Sequence, residues 1–217
     1  MAEPIPLSAQ HWWALFNTYL YLGLAIGIVV VGFMLYFVFK YRSTGDPGDR
    51  KISDLLPDNK TVRVLLVLLL ITSGILVVLA VDSTRLAIEI EQVPPPSESL
   101  LIKVTAFQFN FRFEYPNGVQ IVGECRIPAG AAVVFNVTSS DVYHSFGLPD
   151  FKLKIDAIPG RYNMLSVAAP PLNGATELRY TIICYEMCGM GHTNMIATLI
   201  VMDPAAFTQW LNQAKGA

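Results

Sequence analysis

Between Glu3 and Lys40 the chain carries no Asp, Glu, Lys or Arg. Within that gap the run from Tyr19 to Phe39, YLYLGLAIGIVVVGFMLYFVF, is apolar throughout. About 20 apolar residues suffice for a helix to cross the hydrocarbon core, so the run is long enough to span. A second run, VRVLLVLLLITSGILVVLAV over residues 62–81, has Arg63 at its edge as its one charge. Ser73 and Gly74 inside it are tolerable, because small residues let helices approach closely in lipid. The remaining chain is too short to bury two such helices in a soluble core. The first run lacks a basic start and is followed by Lys40-Tyr41-Arg42 rather than a small-residue cleavage signal, so it is expected to persist as a span. Only 15% of the 217 residues are charged, below the quarter or so usual for soluble domains.

Charge sets the expected orientation. Lys40, Arg42, Arg50, Lys51, Lys60 and Arg63 lie between or beside the runs, and no Lys or Arg precedes the first. Positive residues stay cytoplasmic, which puts the loop inside and both termini outside the cell membrane. Trp12, Trp13, Tyr19 and Tyr21 would mark the outer interface, Tyr36 and Tyr41 the inner one. His11 reads as an interfacial residue. The net charge of −2 offers no basic footprint for nucleic acid.

Past the second run the pattern changes. Residues 83–99, with Pro94-Pro95-Pro96, read as a stiff connector. Phe107, Phe109, Phe111, Phe113 and Tyr115 then alternate with polar residues, as a half-buried strand does, and Pro116-Asn117-Gly118 supplies a turn. Further strand-like runs cover 131–138, 162–167, 178–184 and 196–202, divided by Pro- and Gly-containing segments. Many short strands with turns indicate a sandwich or barrel. Asp203-Pro204 resembles a helix N-cap followed by Pro at the first helical position, with Phe207, Trp210, Leu211 and Ala214 on one face. The expected organisation is a membrane hairpin over 1–82 with spans 19–39 and 62–81, a linker over 83–99, a β domain over 100–203, and a short helix over 204–217.

The chemistry concentrates in Cys184-Tyr-Glu186-Met-Cys188-Gly-Met-Gly-His192-Thr-Asn-Met195. Thiolate, thioether and imidazole donors select copper or zinc over hard cations. Cys188, His192 and Met195 supply three of the four ligands of a mononuclear blue-copper site, and His144 is the candidate for the fourth. Cys184 is then left over. A second thiolate four residues before the first can bridge two coppers, each taking both sulfurs, one imidazole and one weak ligand. Met195 and the backbone carbonyl of Glu186 are the candidate weak ligands. No position stays open for substrate, so such a centre would relay electrons. A Cys184–Cys188 disulfide and a structural zinc site are the alternatives; Met195 argues against zinc. Cys125 reads as an inert buried thiol, and Met187 and Met190 as packing residues.

These residues resemble a known family. Cys-x-Glu-x-Cys-Gly-x-x-His-x-x-Met at 184–195, Asp141-Val-Tyr-His-Ser-Phe and Lys154-Ile-Asp-Ala-Ile-Pro-Gly-Arg161 are similar to segments of cytochrome c oxidase subunit 2, the copper-carrying subunit of haem–copper oxidases. The resemblance covers nearly the whole chain. It implies a two-helix hairpin followed by an all-β cupredoxin domain of Greek-key sandwich form. The implied metal ligands are His144, Cys184, Glu186 through its carbonyl, Cys188, His192 and Met195, around two copper ions of the CuA type. The Glu186 carboxylate would reach a magnesium ion at the boundary with subunit 1, near Arg161. The implied partners are subunit 1, other membrane subunits, lipid, and a soluble donor, either cytochrome c or a small blue-copper protein. Two departures stand out. The family's aromatic strand carries Trp at the electron entry, where this chain has Phe109 and Phe111 as candidates. No glutamate opens the second span. The competing functions are the equivalent subunit of a nitric oxide reductase and a membrane-tethered copper carrier.

Overall fold

The computed structural model describes residues 6–40, 42, 59–91 and 97–215. The chain divides into two compact units, Ala14–Ala87 and Ile88–Ala217 together with the residues through Trp13.

The first unit is a helical hairpin. Helix α1 runs Leu7–Lys40 and α2 runs Asn59–Glu91. At 1.5 Å per residue each is about 50 Å long, well beyond the ~30 Å hydrocarbon core. Their apolar side chains are exposed on every face, Leu70 by 71% and Ile28 by 73%, which a helix in water would not sustain. Tyr19 Oη donates to Ser83 Oγ at 2.6 Å, a polar tie between the helices.

The expected linker over 83–99 is partly helix, because α2 continues through Glu91. Ser83 and Thr84 do not break it, since their hydroxyls fold back on the carbonyls of Leu79 and Ala80. No Pro or Gly stands between Gly74 and Pro94 to stop propagation. The three prolines, Tyr41, Arg50 and Lys51 lie outside the described residues.

The second unit is a β-sandwich of two five-stranded sheets. Strands β1 (Ser99–Phe107), β2 (Asn110–Glu114), β3 (Gln120–Val122), β5 (Ala132–Ser139) and β8 (Asn163–Ala168) form one, in the order β3-β2-β1-β5-β8. Strands β4 (Glu124–Pro128), β6 (His144–Leu148), β7 (Leu153–Ala157), β9 (Glu177–Ile183) and β10 (Ile196–Met202) form the other, in the order β4-β10-β9-β6-β7. Pairing is antiparallel except for β1 with β5 and β4 with β10. Phe146 of the second sheet packs among Phe111, Phe113 and Phe135 of the first, with ring centroids 5.1–6.3 Å apart and all four fully buried. Such aromatic pairs add about 0.5–1.5 kcal/mol each beyond the area they bury.

The aromatic run 107–115 is not one strand. Phe107 pairs with Asn110, so the chain reverses through Gln108-Phe109. A two-residue hairpin preserves the every-other-residue pattern, which is why the alternation conceals it. Phe111 and Phe113 point into the core and Phe109 stays partly exposed.

Helix α3 (Pro204–Ala214) closes one end of the sandwich. Asp203 Oδ1 accepts the amides of Ala205 and Ala206, capping the helix ahead of its first-position proline. Phe207 is buried, and Trp210 meets Tyr115 edge-on at 5.3 Å with the Arg126 guanidinium over its ring. Tyr115 Oη also sits 3.8 Å from Cys125 Sγ. Burial pushes the Cys125 thiol up to about 12. Trp12 and Trp13 lie with Lys152, whose ammonium stands 5.5 and 5.6 Å from their rings, and Ser8 Oγ donates to the Phe151 carbonyl.

Candidate metal centre

The donors come from two places. His144 opens β6, and the loop between β9 and β10 carries the rest. Gly147 pairs antiparallel with Ile183 at the end of β9, so the loop leaving β9 runs back along β6 toward His144. The loop is closed at its base by the Cys184 amide on the Met195 carbonyl, 3.2 Å, and tightened by a 3₁₀ turn over His192–Asn194. Gly189 has φ +129°, a conformation that excludes a side chain at low cost. Gly191 has ordinary backbone angles, but a Cβ there would stand 2.5 Å from Cδ2 of Phe109, whose ring lies on the loop.

The two cysteines stand at the middle, Sγ to Sγ 3.9 Å. Cys184 Sγ is 3.8 Å from His144 Nδ1 and 3.2 Å from the Glu186 carbonyl. Cys188 Sγ is 3.7 Å from His192 Nδ1 and 3.8 Å from Met195 Sδ. Each thiol therefore has one imidazole nitrogen and one weak donor beside it. Donors held about 2.0–2.3 Å from one tetrahedral ion lie about 3.3–3.8 Å from each other, close to these separations. A disulfide would need about 2.05 Å, and both cysteines are free. His144, Cys184, Cys188 and Met195 are all buried. Thiolate, thioether and imidazole in a dry cleft fit a soft or borderline ion such as copper.

Burial, and then the neighbouring Cys184, push the Cys188 thiol up to about 11. Asp141 lies behind His144, its Oδ1 2.8 Å from Nε2. Burial pushes the Asp141 carboxyl up, but hydrogen bonds from the Gln108 amide, His144 and the Val142 amide outweigh it and hold the group below the usual carboxylate range. Neither Asp141 nor Gln108 is singled out as a site residue from the sequence; Asp141's place three residues before His144 is the available signal.

The Glu186 side chain is held by Lys154. Its Oε1 accepts from Lys154 Nζ at 3.1 Å, and Lys154 also stands 3.7 Å from Asp156. Among the described residues, the group of three able to hold an ion is His144, Cys184 and Cys188.

Three expectations are corrected. Phe111 is fully buried against Phe146 and presents nothing to a partner, so of the two aromatic candidates only Phe109 reaches the surface. Met187 and Met190 do not pack; they are 78% and 101% exposed, because the loop directs its two thiols and Met195 inward and the residues between them outward.

The fold and the site define a class: a cupredoxin-like β-sandwich, carried after two long apolar helices, with a sulfur-rich metal cleft at one end. Residues 118–202 match the family described as the periplasmic domain of cytochrome c oxidase subunit II. A heme-copper oxidase subunit 2 from Aeropyrum pernix is 35% identical over 214 residues, covering 94% of this chain and 90% of its own length. A probable cytochrome c oxidase subunit 2 from Rickettsia bellii is 29% identical, covering 88% and 75%. The crystal structure of the periplasmic domain of subunit II of the cytochrome oxidase of Bradyrhizobium japonicum superposes with a TM-score of 0.52 at 30% identity, over 58% of this chain and 98% of that one. The chain belongs to the heme-copper oxidase subunit 2 family, and so to an oxidoreductase complex of the membrane.

Proposed function

We propose that this chain is the electron-entry subunit of a terminal oxidase, taking electrons from a soluble donor at a dinuclear copper centre and passing them to haem in subunit 1, where oxygen is reduced with proton pumping. The observation that carries this reading is the pair of free thiols 3.9 Å apart, each flanked by one imidazole nitrogen and one weak donor. His144, Cys184, Cys188, His192, Met195 and the Glu186 carbonyl would hold the ions. When bound, copper would supply one-electron redox chemistry there.

The chain's own residues keep that exchange inexpensive. The sheet ends and the short loop fix the donors, so little moves when charge arrives. Burial of His144, Cys184, Cys188 and Met195 excludes water and its reorganisation. It also favours a relay over a carrier, which must release its cargo. On and beside the loop, Phe109, Tyr185, Met187 and Met190 are exposed, and such side chains suit a donor docking by contact area rather than by charge. The positive residues of the helical connection support placement in the cell's inner membrane, with both termini and the copper domain outside.

The test is the copper-loaded full-length chain in detergent. Two coppers per chain are expected, with an electron paramagnetic resonance spectrum of one unpaired electron coupled equally to two copper nuclei. Cys184→Ser should destroy or convert that signal. Coupling to a single nucleus, or a normal signal in the variant, would reject the dinuclear reading.

A further inference from the structure

The metal loop supplies every candidate donor but one. His144 comes from β6, outside the loop, and its tautomer would be unset if Nδ1 were its only partnered atom. Asp141 sets it. Its Oδ1 accepts His144 Nε2–H at 2.8 Å and the Val142 amide at 2.6 Å. Because a carboxylate only accepts, the proton must sit on Nε2, leaving the Nδ1 lone pair toward Cys184 Sγ. Its Oδ2 accepts the Gln108 amide at 2.7 Å. Gln108 belongs to the β1–β2 turn of the opposite sheet, and its Nε2 donates to the Cys188 carbonyl at 2.6 Å. One carboxylate thus reaches a candidate ligand of the β6 strand directly and the second thiol's backbone through a single residue.

We infer that Asp141 is a positioning residue of the metal centre: it fixes the tautomer and ring plane of His144 and, through Gln108, anchors the Cys188 end of the loop, so that one side chain sets both halves of the donor set. This rests on the reading of the site as a copper centre. Outer partners of this kind orient a ligating imidazole and raise its basicity, and their loss commonly costs about 10–100-fold in metal affinity. A more basic imidazole favours oxidised copper, so losing the carboxylate raises the reduction potential. Asparagine is not equivalent. If its oxygen keeps His144 and Val142, its NH₂ faces the Gln108 N–H, donor against donor.

The experiment compares full-length wild type, Asp141→Ala, Asp141→Asn and Gln108→Ala, each loaded with copper in detergent. Failure of wild type to bind two coppers overturns the copper reading itself. With two bound, the variants test the positioning role. Asp141→Ala should hold copper against a competing chelator about 10-fold or more less tightly, show a higher potential, and exchange the His144 Nε2–H proton, followed by NMR with labelled histidine, much faster in deuterated water. Gln108→Ala should keep that proton protected while shifting the hyperfine couplings of the Cys188 β-protons. Should Asp141→Ala fail to fold, Asp141→Asn serves, with a raised potential and a shifted Cys188 coupling expected. Wild-type potential, affinity and proton exchange in the folded Asp141 variant would overturn the inference.

Discussion

Replacing Gly191 with alanine tests whether the Phe109 ring lies directly on the metal loop. The backbone at Gly191, φ −93° and ψ 9°, suits alanine, so without the ring the change should stabilise by about 0.4–1 kcal/mol through the unfolded chain. With the ring in place the new Cβ meets Cδ2, Cγ and Cε2 at 2.5, 2.6 and 2.8 Å. Those atoms include the ring's root, so a small rotation cannot clear them. Phe109 is 36% exposed, which leaves roughly two-thirds of its surface covered. Ejecting it would uncover about 100–170 Å², or about 2.5–4 kcal/mol at 25 cal/mol per Å², an upper bound because unfolded chains already cover some of that area. Keeping the ring and straining the loop costs about 1–3 kcal/mol instead. The cheaper route wins, so Gly191→Ala should destabilise by about 1–3 kcal/mol. The same change in a Phe109→Ala background should be neutral or stabilising. The assay is denaturant unfolding of the metal-free chain under reducing conditions, followed by near-ultraviolet circular dichroism, as a double-mutant cycle. Additive effects, or a stabilising Gly191→Ala in the parent, would refute the placement of the ring.

Three other outcomes are expected. Asp203→Ala removes the acceptor for two amides at the start of α3 and should cost about 1 kcal/mol, with the loss read as a lower unfolding midpoint and more quenchable Trp210 fluorescence. Phe146→Ala empties the point where the two sheets' aromatics meet and should cost about 3–5 kcal/mol in the same unfolding assay. The third concerns pH. The folded Cys125 thiol ionises near 12 and an unfolded one near 9, so above pH 9 the unfolded chain holds fewer protons and stability falls as pH rises. The contribution is fully present below pH 9 and is lost toward pH 12, with a slope of up to about 1.4 kcal/mol per pH unit. Cys125→Ala should flatten the stability curve between pH 9 and 10, before Tyr115, itself raised by burial, adds its own fall; an unchanged slope would contradict the burial.

The sequence by itself determined the membrane hairpin, the sandwich class, the capped terminal helix and which residues are candidate donors. Each of these is written in residue type and short spacing: apolar length, alternation, Asp203-Pro204, and the cysteine, histidine and methionine intervals. Their causes are local, so periodicity and chemistry reveal them. Only the tertiary structure decided where the aromatic run turns, because a two-residue reversal keeps the alternation intact and the partner strand is what distinguishes it. It likewise decided that α2 continues through Ser83 and Thr84, that Met187 and Met190 face outward, and that Phe109 rather than Phe111 covers the loop. Asp141 and Gln108 acquire a role only because the sandwich brings the β1–β2 turn, the start of β6 and the metal loop to one end. That is a contact between residues as much as 80 positions apart in the chain, held by hydrogen bonds that no interval in the sequence encodes.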